Sequence, residues 1–402
     1  MIKSSFKKFD SNLFDDCISA HLSTLEIEIE DIQLSEDIER ITNKLIETVI
    51  KTCNEVIPKH KSFKNSNNWW SSELTAKRKL VNHLRRRYQR CKDQIQRHQR
   101  KVIYYNERQT YIQLIKSSKT KSWRKFCYES DSWGLPYKLL NNKLKNEKPI
   151  PNFKKSDGTY TQTHEESLQY ALHHMFPEDD ISTDTAYHQY VRRQTATTPD
   201  TSDDKDFTQN ELNEVINNLS ANKASGWDQI NDIIVKAIHR QKPRLLLKLY
   251  NKCLNCGYFP EKWKISVIRI LLKSRDKPIS EVKSYRPISL LPLMAKIFEK
   301  LLINRINHHM YSNQLLSKNQ FGFTPNTSTE DALETVHKLG QEVLKNREYL
   351  LIIVLDITGA FDNCWWHQIL KQLKDKNCPK NLYKTIRSYC LIERQSLNPE
   401  IL

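Results

Sequence analysis

Tyr349-Leu350-Leu351-Ile352-Ile353-Val354-Leu355-Asp356-Ile357-Thr358-Gly359-Ala360-Phe361-Asp362 is the stretch on which the reading of the fold turns. Its first seven residues form an apolar run without alternation, which predicts a strand buried on both faces. The acid that follows puts Asp356 at the strand tip. A carboxylate there suits a hard divalent cation, because Mg²⁺ prefers oxygen ligands beside substrate phosphates. Gly359 and Ala360 leave backbone amides accessible to a phosphate, and Phe361 offers a wall for a sugar. An aspartate that merely caps the strand end has the same local pattern, so these residues alone leave both readings open.

Upstream of this run, Lys264–Leu272 reads as a strand through Val267, Ile268, Ile270 and Leu271. Helical periodicity surrounds it, at Ile230–Ile238, Leu245–Cys253, Pro292–Met310, Thr327–Asn346 and Cys364–Lys374. Thr208-Gln209-Asn210-Glu211 is a capping box opening a helix through Leu212, Val215, Ile216 and Leu219. Near the N-terminus, Ile38, Ile41, Leu45, Val49 and Val56 mark another helix behind Ser35. Between them, Pro177–Asp206 is rich in Asp, Thr and Ser and poor in large aliphatics, so it reads as a linker.

Residues 69–128 contain neither Pro nor Gly, and Leu84, Tyr88, Cys91, Ile95, His98, Val102 and Tyr105 alternate spacings of four and three. That repeat predicts a long helix or a helical hairpin. Thr75–Lys125 holds 17 Lys/Arg, including Arg85, Arg86, Arg87, Arg90, Arg97, Arg100 and Arg124, against only Asp93 and Glu107. This one segment accounts for nearly all of the chain's net charge of +17. Tyr88, Tyr104, Tyr105, Tyr111 and Trp123 are interleaved with the cations, a mixture suited to phosphates and unstacked bases. A solvated helix with lysine and arginine stems over a coiled seam is the blander alternative.

Composition narrows the class further. Seven glycines in 402 residues fall far below the usual share of about 7%. None are spaced as G-x-G-x-x-G or G-x-x-x-x-G-K-[ST], so dinucleotide-binding and P-loop enzymes are disfavoured. No apolar run approaches the ~20 residues of a membrane-spanning helix. Nine dispersed cysteines read as intracellular thiols rather than a disulfide framework. Cys253-Leu254-Asn255-Cys256 lacks a second pair at zinc spacing and reads as a buried helix end.

Three segments in order carry a resemblance. Ile268-Arg269-Ile270-Leu271-Leu272-Lys273 runs into Ser284-Tyr285-Arg286-Pro287-Ile288-Ser289-Leu290-Leu291; Gln320-Phe321-Gly322-Phe323-Thr324 follows; then comes Asp356–Asp362. With Lys223–Ile230, Gly257–Lys264, Lys296–Lys300, Trp69-Trp70 and Lys121–Phe126, these resemble the reverse transcriptase of LINE-type (non-LTR) retrotransposons, most like the arthropod type-1 or jockey-like group. The resemblance implies an α+β fold: right-hand polymerase fingers and a partial palm over 207–402, preceded by a mostly helical basic region (1–175) and a polar, acidic linker (176–206). It implies that Asp356 and the Ile357 carbonyl ligate catalytic Mg²⁺ and that Phe361 gates against a ribose 2′-hydroxyl. Lys273 and Arg286 would contact the incoming triphosphate, with Gly359 and Ala360 beside it. Implied partners are an RNA template, a DNA primer and deoxynucleotides, with no membrane; nucleus and cytoplasm are the implied locations.

The sequence also departs from the pattern. Thr324 stands where the family writes Arg after Gly-Phe. No Gln-Gly motif and no Tyr/Phe-x-Asp-Asp motif follows Asp356, and the Asp-Asp pairs at 15–16, 179–180 and 203–204 all precede it. The expectation is a fragment that is inactive alone. A non-catalytic basic nucleic-acid-binding remnant is the second expectation, and a coiled-coil interaction protein built on residues 69–128 the third.

Overall fold

Apolar residues at helical spacing generate most of the backbone. The computed structural model describes residues 11–56, 69–130, 134–140, 150–221, 223–274, 276–357, 359–361 and 363–390. The first helices are α1 (Ser11–Glu28), α2 (Ser35–Val56), α3 (Ser72–Arg90), α4 (Gln94–Glu129) and α5 (Leu135–Leu140). There follow α6 (His164–Met175), α7 (Ala186–Ala196), α8 (Gln209–Asn217), α9 (Asp232–Gln241), α10 (Leu245–Cys256) and α11 (Glu261–Lys264). An antiparallel pair, β1 (Val267–Leu272) and β2 (Tyr285–Leu290), is the only sheet among the described residues. The chain continues through α12 (Leu293–Ser312), α13 (Thr329–Lys345), α14 (Trp366–Asp375) and α15 (Lys380–Cys390).

Contacts divide the chain into two compact units, residues 1–59 with 150–402 and residues 60–149. This differs from the borders expected at 175 and 206. The reason is α1 and α2, whose apolar stripes (Phe14, Ile18, Leu22 and Leu25; Ile38, Ile41, Leu45 and Val49) are buried in the same core as α8, α9, α10 and α12. Asp15 of α1 pairs with Arg240 of α9 at 2.5 Å, and Lys252 of α10 donates to the Glu30 and Ile32 carbonyls at 2.9 Å. At the core centre the Tyr250 and Phe298 rings stack 5.3 Å apart, with Phe259 and Trp263 packed around them. The Tyr250 hydroxyl donates to the Met294 carbonyl at 2.9 Å, so this buried phenol is satisfied.

The linker reading is corrected. Within 177–206 a helical turn forms at Ile181–Thr183, and α7 packs on α14 while the Tyr383 hydroxyl of α15 donates to the Thr195 carbonyl at 3.3 Å. Arg192 bonds both carboxylate oxygens of Asp179 (2.8 and 2.6 Å) and reaches Asp184 at 2.6 Å, while its guanidinium lies 5.2 Å from the Trp365 ring. Thr195 pairs with His367 at 2.8 Å, and Lys374 donates to the Gln194 carbonyl at 2.7 Å. Two of the acidic residues that made the segment look solvated, Asp179 and Asp184, are the partners of Arg192, and a third, Asp204, pairs with Arg305.

The buried strand at Tyr349–Leu355 is also corrected. These residues form no regular element, carry no sheet pairing among the described residues, and are exposed, Val354 at 86% and Leu355 at 87%. A strand becomes one only when a neighbour takes its N–H and C=O groups. No other described segment does so. Among the described residues the fold is predominantly helical with one small sheet, and no strand forms at 349–355.

Candidate functional site

The β1–β2 hairpin positions two of the candidate residues. Its register pairs Leu271 with Arg286 and Leu272 with Tyr285. One face, carrying Ile270, Leu272, Tyr285 and Pro287, turns inward, and the Tyr285 ring meets Phe153 edge-on at 5.4 Å. Alternation then sends Arg286 and Ile288 to the opposite face. Lys273 extends the ladder, its amide donating to the Ser284 carbonyl at 2.8 Å, so its place is on the Arg286 face. Both cationic residues are exposed, and the Lys273 ammonium donates to the Lys283 carbonyl at 2.8 Å.

Asp356 and Ile357 sit on the exposed side of the following loop. Gly359 takes φ +62°, and a Cβ there would lie 2.7 Å from the Asn363 amide nitrogen, so both conformation and space favour glycine. Ala360 and Phe361 are exposed. The Phe361 ring stands perpendicular to Phe323 at 6.0 Å, which brings the Gln320–Thr324 motif against the Asp356 loop. Among the described residues no hydrogen bond or ion pair joins Asp356 to Lys273 or Arg286. Nor do those residues contain three or more His, Cys, Asp or Glu grouped to hold a metal. Thr358 and Asp362 lie outside the described residues. A hard cation needs several oxygens; the single carboxylate of Asp356 with the Ile357 carbonyl does not complete a Mg²⁺ site.

In the other unit, α3 and α4 form a helical hairpin. Ser71 caps α3 by accepting from the Leu74 amide, and Asp93 caps α4 by accepting from Gln96 at 2.9 Å. The sequence repeat runs across this break, and of its members only Cys91 is buried: Ile95 is 76% exposed, whereas Leu74 and Val81, outside the repeat, are buried. Trp69 accepts from the Ser118 hydroxyl at 2.6 Å, and the Tyr88 and Tyr104 rings stack at 6.2 Å. Arg97 covers Tyr88 at 5.5 Å, and Lys119 covers Trp69 at 4.7 Å. Arg85, Arg86, Arg87, Arg90, Arg97 and Arg124 are exposed and Arg100 half-buried, with Tyr105 and Trp123 also open to solvent.

Several organising residues escaped the sequence reading. Arg305 donates bidentately to Glu211 (2.6 and 2.9 Å), bonds Asp204 at 3.1 Å, and lies 5.5 Å from the Phe207 ring. These contacts hold the Glu211 carboxyl below its ordinary value despite its partial burial. Asp228 is buried, with its carboxyl pushed up to about 6 by desolvation. Their partners lie far away in sequence, and no local pattern announces them.

Residues 273–400, which contain Lys273, Arg286 and the Asp356 loop, match the family model described as reverse transcriptase (RNA-dependent DNA polymerase). The chain is 29% identical over 317 residues to a retrovirus-related Pol polyprotein from the type-1 retrotransposable element R1 of Bradysia coprophila, covering 77% of this chain and 30% of that protein. Residues 273–400 are a reverse transcriptase region similar to those of non-LTR retrotransposons. This reverse transcriptase region is also 34% identical over 182 residues to the RNA-directed DNA polymerase from mobile element jockey of Drosophila melanogaster, covering 45% of this chain and 20% of that protein. Over 183 residues it is 37% identical to the probable RNA-directed DNA polymerase from transposon X-element of the same fly, covering 44% and 20%. It spans less than a third of the length of these relatives. No helix among its described residues is long and apolar enough to cross a membrane.

Proposed function

We propose that this reverse transcriptase region serves RNA-templated DNA synthesis within a longer polyprotein, as fingers and part of the palm. The reaction class is nucleotidyl transfer: a primer 3′-hydroxyl attacks the α-phosphate of a deoxynucleoside triphosphate and pyrophosphate leaves. One observation carries the reading: the hairpin register puts Lys273 and Arg286 on one open face inside the matched family segment. An ammonium and a guanidinium side by side suit a triphosphate, the first as a point charge and the second as a bidentate donor. Phe361, exposed beside Gly359, would meet the sugar, and Asp356 would supply one oxygen toward a divalent cation. When bound, that cation would contribute charge neutralisation at the phosphates.

The test is primer extension on an RNA template by a longer protein carrying this region. Extension should fall to background in Asp356→Ala and drop steeply in Arg286→Ala; full activity in Asp356→Ala would remove the assignment. Residues 1–402 alone should bind template without extending a primer.

A second role belongs to the basic hairpin. Its exposed arginines and aromatics should bind single-stranded nucleic acid with little sequence preference. With about five phosphates neutralised, log K should fall against log[salt] at roughly −3 to −4. Changing Arg85, Arg86, Arg87 and Arg90 to Ser should flatten that slope on every sequence alike. A hairpin that binds nothing even at low salt would exclude this role.

A further inference from the structure

The family match begins at residue 273, yet the hairpin carrying Lys273 and Arg286 leans on residues 150–175, far upstream of it. Those residues fold as a small module. Lys155-Ser156-Asp157-Gly158 is its turn: the Gly158 amide donates to the Lys155 carbonyl at 3.0 Å, and Gly158 takes φ +84°, which glycine adopts without strain. The turn pairs Lys154 with Tyr160, and α6 follows behind its Thr163 cap. Phe153 is fully buried, its amide donating to the Thr161 hydroxyl at 2.9 Å. That hydroxyl pairs with Ser167 of α6 at 2.7 Å, and Lys155 pairs with Glu166 at 2.5 Å, so turn and helix hold each other.

The module meets the hairpin at the connection that leads into β2. The Phe153 ring stands edge-on to Tyr285, the first residue of β2. The Lys154 amide donates to the Ser280 carbonyl at 2.9 Å, and α6 packs on the helical turn Val282–Ser284. The Tyr285 hydroxyl folds back onto the Ile279 carbonyl at 2.9 Å, which closes the connection on itself. Two further bonds run from this connection to the cationic face. The Ser284 carbonyl accepts from the Lys273 amide and the Lys283 carbonyl from the Lys273 ammonium, both at 2.8 Å. Arg286 follows Tyr285 directly, so the ring that Phe153 holds on one face fixes where the guanidinium leaves the other.

We propose that residues 150–175 position the Lys273–Arg286 face for a deoxynucleoside triphosphate, with Phe153 as the positioning residue. The proposal deepens the polymerase reading and rests on it. A two-stranded hairpin is marginal in water by itself, so a sheet this small keeps two cations in register only if one of its faces is braced. A clamp on a triphosphate is effective only while its groups keep their geometry. Burying Phe153 would stabilise the fold whichever element it met. What marks a positioning role is where the bonds land: on the connection whose carbonyls hold Lys273 and whose last ring precedes Arg286.

The experiment uses the whole 402-residue chain and dATP carrying a fluorescent N-methylanthraniloyl group on its 3′-oxygen, with binding read by anisotropy. Phe153→Leu should weaken binding about fivefold, within the range for residues coupled in one network. In an Arg286→Gln background the same change should cost less than about twofold, because Phe153 acts through the face that Arg286 has already lost. Hydrogen exchange should show the Lys273 amide opening faster in Phe153→Leu, with α10 and α12 as protected as in the wild type. If Phe153→Leu loses its helical signal, Glu166→Gln takes its place; it weakens the pair with Lys155 outside the core and should shift affinity in the same direction. Wild-type affinity in the variant, with binding weakened in Arg286→Gln, would overturn the positioning role and leave the polymerase reading standing. Equal losses in both backgrounds would make Phe153 a packing residue and overturn it too. No binding by the wild-type chain, or undiminished binding by Arg286→Gln, would overturn the triphosphate face itself and the proposal with it.

Discussion

Asp228 sits buried in the loop that precedes α9, one oxygen accepting from the Ile230 amide and the other without a hydrogen-bond partner. Desolvation raises its carboxyl to about 6, above the ordinary value of 3.8. Between roughly pH 4 and 6 the folded protein keeps a proton that the unfolded chain has released. Stability from this group therefore falls as pH rises through that window and stays lost above it. Asp228→Asn should gain roughly 1–3 kcal/mol at pH 7.5 and little at pH 4.5, read as the urea midpoint at the two pH values. Equal shifts at both would rule out titration as the cause. Arg305 is the opposite kind of residue, an arginine whose guanidinium donates to Glu211, Asp204 and the Asp206 carbonyl. Arg305→Ala removes the partner of Glu211 in the first turn of α8 and of Asp204 in the segment before it, and should cost roughly 2–3 kcal/mol. Arg305→Lys should recover only part, because an ammonium does not reproduce the fork. Full recovery by lysine would show that charge alone matters.

Elements differ in what holds them. α10 and α12 are held by aromatic packing, with Tyr250 and Phe298 both fully buried. α7 is held by the Arg192 network and α13 by its own Ser328 capping box, with no buried side chain. Residues 349–355 are held by nothing comparable. Their amides should exchange with deuterium within seconds, while the α10 and α12 amides stay protected, as measured by hydrogen exchange on the monomer. Strong protection across 349–355 in a monomeric sample would show that the run finds a pairing partner. Its side chains, open in the monomer, form an apolar surface of the kind that drives association, so protection appearing only with rising protein concentration is the expected second observation.

Across the whole molecule the two units carry unequal reserves. Residues 1–59 with 150–402 share one continuous core from Phe14 to Ile386, whereas the α3–α4 hairpin buries only Leu74, Val81 and Cys91 fully. Helices in proteins draw most of their stability from packing an apolar face, and this pair buries little of one. Heating should therefore give two transitions: loss of helical signal from the hairpin first, then a cooperative loss with the buried Trp263 fluorescence change. Val81→Asp should lower the first midpoint and leave the second within a degree or two. A single coincident transition by both probes would show that the units unfold together.

What the sequence determined by itself is whatever is written within a few residues. The Thr208–Glu211 and Ser328–Asp331 caps form as their spacing requires, and Val267–Leu272 is a strand where the Val/Ile/Leu run predicted one. The concentration of cations in residues 75–125 and the motifs around Arg286 and Asp356 were legible for the same reason. The tertiary structure alone decided the break at Cys91–Asp93, the docking of α7, the merging of α1 and α2 into the main core, and the open state of 349–355. It also decided that Phe153 packs against Tyr285. The physical reason is range. Caps and periodicity use partners three or four residues away, whereas Arg192 with Trp365, Arg305 with Glu211, and any strand with its neighbour need partners that only the folded chain brings together.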